Sequence, residues 1–120
     1  MRETVVIVDD NEAFRERTRT LLDAEGYLVI GDAGDGAGGL RLLRELKPDL
    51  ALLDVQLPDT DGFTLAERAR APDGNTSIII ISTREAQDYA GSVARCGALG
   101  FVSKSELCGG ALRKILDGPR

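Results

Sequence analysis

The sequence predicts an α/β domain: a doubly wound parallel sheet made of five strand-then-helix units. Three observations carry that prediction. Short apolar runs alternate five times with longer segments at helical spacing within 120 residues. The central runs are apolar throughout instead of alternating with polar residues, as in strands buried on both faces. Several runs stop abruptly at acidic or hydroxyl residues, which puts polar groups at the sheet edge where open α/β folds bind ligands.

Thr4-Val5-Val6-Ile7-Val8 is the first strand, and it ends in Asp9-Asp10-Asn11. Phe14, Thr18, Leu21 and Leu22 follow at helical spacing, so residues 11–25 read as an amphipathic helix closed by Gly26. Tyr27-Leu28-Val29-Ile30 is the second strand. Ala37, Leu40, Leu43 and Leu46 define a second helix that stops before Pro48. Gly38 and Gly39 inside it each cost about 1 kcal/mol relative to Ala, so this helix is expected to be soft. Leu50-Ala51-Leu52-Leu53-Asp54 lies between Pro48 and the turn Pro58-Asp59-Thr60-Asp61-Gly62; it is too short for a helix and is the central strand. A short helix over 63–71 ends at the turn cluster Pro72-Asp73-Gly74-Asn75. Ser77-Ile78-Ile79-Ile80-Ile81 has the strongest strand propensity in the chain. A helix over 85–96 stops at Gly97, residues 98–102 form the fifth strand, and residues 105–117 form a last helix ended by Gly118-Pro119. No linker, repeat or low-complexity tail interrupts the series, so residues 1–120 are expected to form one domain.

Composition removes several function classes. Hydrophobic residues make up 42% with only two Tyr and three Phe, so aliphatic side chains fill the core. A net charge of −5 without a basic block argues against direct nucleic-acid binding through phosphate contacts. The absence of a signal-like apolar region or an apolar run near 18 residues leads to the expectation of a soluble, cytoplasmic protein without membrane contact. There is no His, which excludes His-based acid–base catalysis and the common zinc sites. Cys96 and Cys108 lack metal-ligand spacing and read as reduced, buried hydrophobes.

If the first and third strands are parallel neighbours, Asp9, Asp10 and Asp54 converge at one edge. Two unit charges about 4 Å apart repel by roughly 4 kcal/mol at an effective dielectric near 20, so such a cluster needs a counter-charge or a proton. Ligation by carboxylate oxygens and water suits Mg²⁺. The fourth and fifth strands stop at Ser82-Thr83 and Ser103-Lys104, which adds a hydroxyl and an ammonium to the same edge. Three carboxylates and one Lys sum to about −2, the charge a divalent cation neutralises. A carboxylate is also a usable phosphoryl nucleophile. Phosphoryl transfer depends mostly on positioning and charge neutralisation, so a chain without His can perform it.

Val8-Asp9-Asp10, Leu53-Asp54-Val55 with Pro58 and Asp61-Gly62, Ile81-Ser82, Gly97-Ala98 and Gly100-Phe101-Val102-Ser103-Lys104 stand in order along nearly the whole chain. Together they resemble the receiver domain of bacterial response regulators, similar to the chemotaxis-type single-domain regulator. The resemblance implies a flavodoxin-like fold with strand order 2-1-3-4-5. It also implies a phosphoacceptor switch: Asp54 takes a phosphoryl group from a histidine kinase or phosphotransfer protein. Self-phosphorylation and self-dephosphorylation at Asp54 would be the only chemistry, so the domain would be a signalling switch and not an enzyme. Asp10, Asp54 and the backbone carbonyl of Gln56 would hold Mg²⁺, with Asp9 helping through water. Lys104 would pair with a phosphoryl oxygen and the Ser82 hydroxyl would move to another. Phe101 would swing inward behind it, changing the face of the fourth helix, fifth strand and fifth helix that a downstream effector or output domain reads. The ending over residues 100–105 is similar to receivers that precede a helix-turn-helix output domain, and a homodimer through the last two helices stays open.

Two positions depart from the family pattern, and two more bear on the lifetime of a phosphoryl group. Ser105 replaces the Pro common after the Lys; a cis non-proline bond costs about 3 kcal/mol, which predicts a trans Lys104–Ser105 peptide and leaves Ser105 free to cap the last helix. Thr83 stands where a smaller residue is commoner and narrows access to Asp54. Gln56 and Arg84 occupy the positions that line the path of attacking water in the family.

Each residue also has a purely structural reading. Asp10 or Asn11 is a candidate cap of the first helix, Ser82 and Glu85 form a capping box, Lys104 is a solvated charge, and Phe101 is a core aromatic. Asp59 and Asp61 read as turn and helix-start residues. Gly34-Asp35-Gly36-Ala37-Gly38-Gly39 satisfies a dinucleotide fingerprint after a strand, but 120 residues leave no room for a second nucleotide half. Two other functions compete with the phosphoacceptor. One is an adaptor of the same fold that is never phosphorylated, against which intact Asp10, Asp54 and Lys104 speak. The other is a Mg²⁺-dependent phosphatase of the haloacid-dehalogenase type, which wants Asp-x-Asp where this chain has Asp9-Asp10-Asn11.

Overall fold

The computed structural model describes residues 2–70, 76–83 and 90–118, with only the backbone at Ala90. Strands β1 (Thr4–Val8), β2 (Leu28–Ala33), β3 (Leu50–Asp54), β4 (Ser77–Ser82) and β5 (Gly100–Ser103) form one sheet in the order 2-1-3-4-5, every neighbouring pair parallel. Helices α1 (Glu12–Ala24), α2 (Gly36–Leu46), α3 (Gly62–Ala69), α4 (Ala90–Cys96) and α5 (Gly109–Asp117) cover its two faces. This is the doubly wound architecture expected from the residue pattern and the strand order implied by the family resemblance.

The two-residue period of each strand sorts the isoleucines, leucines and valines onto two cores. Val5, Ile7, Leu50, Leu52, Ile79 and Ile81 pack under Phe14 and Leu22 of α1 and Leu112 of α5. Val6, Val8, Ala51, Leu53, Ile78 and Ile80 pack under α2, α3 and α4. β3 is buried along its entire length, as a continuous apolar run requires.

Several boundaries differ from the expectation. β2 runs to Ala33 and not Ile30, because pairing with β1 carries Gly31 and Asp32 into the ladder despite their low strand propensity. Tyr27 lies just outside it, buried, with its hydroxyl donating to the Gly109 carbonyl at 3.1 Å. The last helix starts at Gly109 and not at 105. Residues Lys104–Glu106 form a 3₁₀ turn instead, and the Cys108 sulfur accepts the Ala111 N–H at 3.4 Å as the cap. Ser105 is therefore not the cap; its hydroxyl lies 3.0 Å from that of Ser103. Cys96 is buried, whereas Cys108 is only half-buried. The Lys104–Ser105 bond is trans, since no cis peptide occurs among the described residues. Of the helix expected over 85–96, residues 90–96 are described, and the Pro72-Asp73-Gly74-Asn75 turn lies outside the described residues.

The glycine-rich start of α2 has a packing explanation. A Cβ on Gly39 would stand 2.8 Å from both Val8 methyls, and one on Gly36 would overlap the Thr60 methyl. These glycines let α2 lie against β1 and let the loop after β3 close over the helix start. Asp59 completes that closure. Its carboxylate accepts the Gly36 and Ala37 N–H groups at 2.7 and 3.0 Å, which holds the carboxyl below its ordinary range.

Candidate functional site

Register brings the acidic residues together. Val8 pairs with Leu53 and Asp54 with Ile81, so Asp9 and Asp54 leave neighbouring strands at the same level, on the face covered by α1 and α5. Asp10 follows, and one carboxylate oxygen from each of the three acids lies within 4.8 Å of the others. Asn11, not Asp10, caps α1, accepting the Phe14 N–H at 3.0 Å; Asp10 is thus left with its carboxylate at the cluster.

Asp9 is fully buried. Its Oδ1 accepts the Asn11 N–H at 2.9 Å. Its Oδ2 lies 2.6 Å from Lys104 Nζ, an ionic contact, yet among the described residues no donor meets that oxygen with hydrogen-bond geometry. Lys104 Nζ is also 3.5 Å from Asp54 Oδ2 and sits 4.6 Å over the Phe14 ring. With its side chain 16% exposed, Lys104 is a held charge and not a solvated one. Asp54 is itself buried, and its carboxyl is pushed up to about 6, first by burial and then by the neighbouring Asp9 charge, with Lys104 opposing both.

The loop after β3 is fixed at several points. Gln56 bridges Asp61, Leu57 N–H donates to Thr60 at 3.0 Å, and Asp61 caps α3 by accepting the Thr64 N–H at 2.8 Å. A Cβ on Gly62 would overlap the Asp54 carbonyl, so the turn into α3 can press on the end of β3 only with glycine there. This loop carries the Gln56 carbonyl two residues beyond Asp54.

Ser82 and Phe101 do not share the acids' face. Ser82 ends β4, buried and in register with Ser103, and strand alternation puts it with Ile78 and Ile80 on the side of α2 to α4. Phe101 is half-buried in that same core. Asp9, Asp10, Asp54 and Lys104 are therefore one cluster, with Ser82 and Phe101 behind it through the sheet.

The roles of three polar residues beside the site escaped the sequence reading. Arg15 donates from Nη1 to the Asp9 carbonyl at 2.6 Å and pairs with Asp32 at 3.1 Å. Asp59 pins the loop described above. Asp32 was concealed by the early end assigned to β2. Arg15 had no signal of its own, since one arginine among the polar residues of an amphipathic helix looks like any other.

A sheet of this order, with three acids facing a lysine at its carboxyl edge, is the flavodoxin-like architecture of CheY. The comparisons place the chain within that architecture: the model for the response regulator receiver domain matches residues 5–115, and the chain belongs to that family. It is 32% identical over 120 residues to the response regulator GacA of Pseudomonas aeruginosa, covering 97% of this chain and 56% of GacA. A LuxR-family two-component response regulator from Aurantimonas sp. SI85-9A1 superposes with a TM-score of 0.86 at 30% identity, over 98% of this chain and 84% of that one. A CheY-like receiver domain protein from Methanospirillum hungatei JF-1 gives 0.84 at 27% identity, over 98% and 93%. The chain spans about half the length of the curated relatives it matches, among which are transcriptional regulators.

Proposed function

We propose that residues 1–120 act as one receiver domain and phosphoacceptor switch in which Asp54 takes a phosphoryl group. The observation that carries this is Asp54 itself, a buried carboxylate 3.5 Å from a lysine ammonium and clustered with two further acids. Because residues 1–120 hold no His, a phosphohistidine donor lies outside them, on a histidine kinase or phosphotransfer protein. An Asp54 oxygen attacks phosphorus as the donor's P–N bond breaks, the electron pair leaving with the imidazole nitrogen, which takes up a proton. The product is an acyl phosphate. Lys104, already held between Asp9 and Asp54, pairs with a phosphoryl oxygen and offsets the added charge.

The donor set fits Mg²⁺: three carboxylates within reach of one another, all-oxygen, and a buried Asp9 oxygen that has an ionic contact to Lys104 but no hydrogen-bond donor among the described residues. Asp10, Asp54 and the Gln56 carbonyl would hold the ion, with Asp9 through water. When bound, the ion neutralises charge on the transferring phosphoryl group. A groove of about 430 Å³, lined in part by Phe14, Leu21, Thr83 and Lys104, runs beside the cluster.

About −2 of new charge at Asp54 draws the Ser82 hydroxyl across the end of β4 and lets Phe101 move inward, which alters the face made by α4, β5 and α5. A downstream effector or an attached output domain reads that face; the half-length match to regulators supports this. The domain works in the cytoplasm without contacting nucleic acid or membrane itself; no helix among the described residues is long and apolar enough to cross a membrane.

The test is incubation with Mg²⁺ and acetyl phosphate, followed by intact mass. The expected result is one added phosphoryl group, absent in Asp54→Asn. No adduct from any donor would favour an unphosphorylated adaptor, and sustained phosphate release from phosphomonoesters would favour a phosphatase.

A further inference from the structure

The Arg15 side chain, 17% exposed, reaches back from α1 to the end of β1. Its Nη1 donates to the Asp9 carbonyl at 2.6 Å, while the Asp9 N–H donates to Ala33 at 3.0 Å. Both sides of the residue from which the acidic pair projects are therefore tied down. The guanidinium is aimed in turn by Asp32, whose Oδ1 takes Arg15 Nε at 3.1 Å and whose Oδ2 takes Arg19 Nη2 at 2.7 Å. Arg19 also donates to the Val29 carbonyl at 3.1 Å, which anchors the Arg19 guanidinium on β2 beside Asp32.

We infer that Arg15, locked by Asp32, is a positioning residue: it sets the Asp9–Asp10 peptide so that the two carboxylates face Asp54 at the spacing a divalent cation needs. The inference rests on the metal reading of the site given above. Charge alone argues the opposite way. A guanidinium near a cation site repels the cation, so if Coulomb energy were the whole effect, removing Arg15 would tighten binding. Outer partners that orient ligands act in the other direction, and their loss weakens metal affinity by about tenfold or more. The sign of the change separates the two.

The experiment is calorimetric Mg²⁺ titration of the full chain, well below its melting temperature, for wild type, Arg15→Met, Arg15→Lys, Asp32→Asn and the Arg15→Met/Asp32→Asn pair. Arg15→Met is expected to bind about tenfold more weakly. Arg15→Lys should recover part of that loss, and Asp32→Asn should weaken binding in the wild-type background but add nothing to Arg15→Met. Equal or tighter binding by Arg15→Met overturns the inference, as does an Asp32→Asn effect that persists without Arg15. A second readout needs no metal: the Asn11 amide, which donates to Asp9 Oδ1, should exchange faster with solvent in Arg15→Met, and unchanged exchange overturns the role. A wild-type chain that binds no Mg²⁺ sinks the metal reading instead, and the amide measurement still decides whether Arg15 orders the loop.

Discussion

Replacing Asp54 with Asn should stabilise the metal-free protein at neutral pH. The folded carboxyl titrates at about 6 against an ordinary 3.8, chiefly because it is buried and faces Asp9. Between those values the native state holds a proton that the unfolded chain has lost, so stability falls as pH rises through the window from about 4 to about 6. The penalty is fully present above that window and absent below it. At about 1.4 kcal/mol for each tenfold change in proton affinity, the interval amounts to about 3 kcal/mol; screening at the open mouth of the site leaves about 1–2 kcal/mol. Unfolding entropy near 2.1 cal/mol/K per residue over a chain of this length converts that into a rise of about 4–8 °C in Tm. Thermal melts in a chelator at pH 8 and at pH 4 are the assay: a gain at pH 8 that vanishes at pH 4 is expected. Saturating Mg²⁺ should erase the gain at pH 8, because the ion stabilises wild type through Asp54 and does so less in the variant. An Asp54→Asn chain that melts with wild type at pH 8, or whose advantage persists unchanged at pH 4, would refute the placement of Asp54 as a buried carboxylate under strain from Asp9.

Gly39→Ala should lower stability by about 1–2 kcal/mol in a urea titration, since overpacking against the Val8 methyls 2.8 Å away outweighs the gain in helix propensity; a more stable variant would mean that α2 does not press on β1. Lys104→Met should reduce phosphoryl uptake seen by intact mass and, in chelator, lower Tm by leaving buried Asp9 without its ionic partner, with Mg²⁺ restoring much of the loss; a chain that stays unfolded in Mg²⁺ would make the ammonium structural. Asp59→Ala should speed amide exchange at Gly36 and Ala37, which lose their acceptor, while leaving exchange in β4 unchanged. Protection at both amides equal to wild type would show that the loop is held by packing alone.

What the sequence made legible and what it concealed divide along a physical line. Strand burial, helix periodicity and the polar strand ends are set by residues adjacent in the chain, and they led to the five strand-helix units; the sheet order came from the resemblance to receiver domains, and with β1 beside β3 it brings Asp9, Asp10 and Asp54 together. The Arg15–Asp32 pair and the Asp59 clamp join residues 17 and 23 positions apart, and each partner alone is unremarkable on a polar surface. The ends of β2 and α5 were misplaced because ladder pairing with β1 overrode the weak propensity of Gly31 and Asp32, and because a 3₁₀ turn occupied the three residues from Lys104.

That last element bears directly on the site. A helix beginning at Ser105 would have started at once from the end of β5, whereas the turn spends three residues before Cys108 caps α5. Lys104 opens this turn directly after β5, and its ammonium rests on Asp9 at 2.6 Å, closer than on Asp54 at 3.5 Å. The lysine thus lies first against the most deeply buried acid of the cluster. If a cation at the acids takes over the Asp9 charge, as the proposed function requires, the ammonium would be released toward Asp54, and cation binding would be coupled to Lys104 through that shared carboxylate.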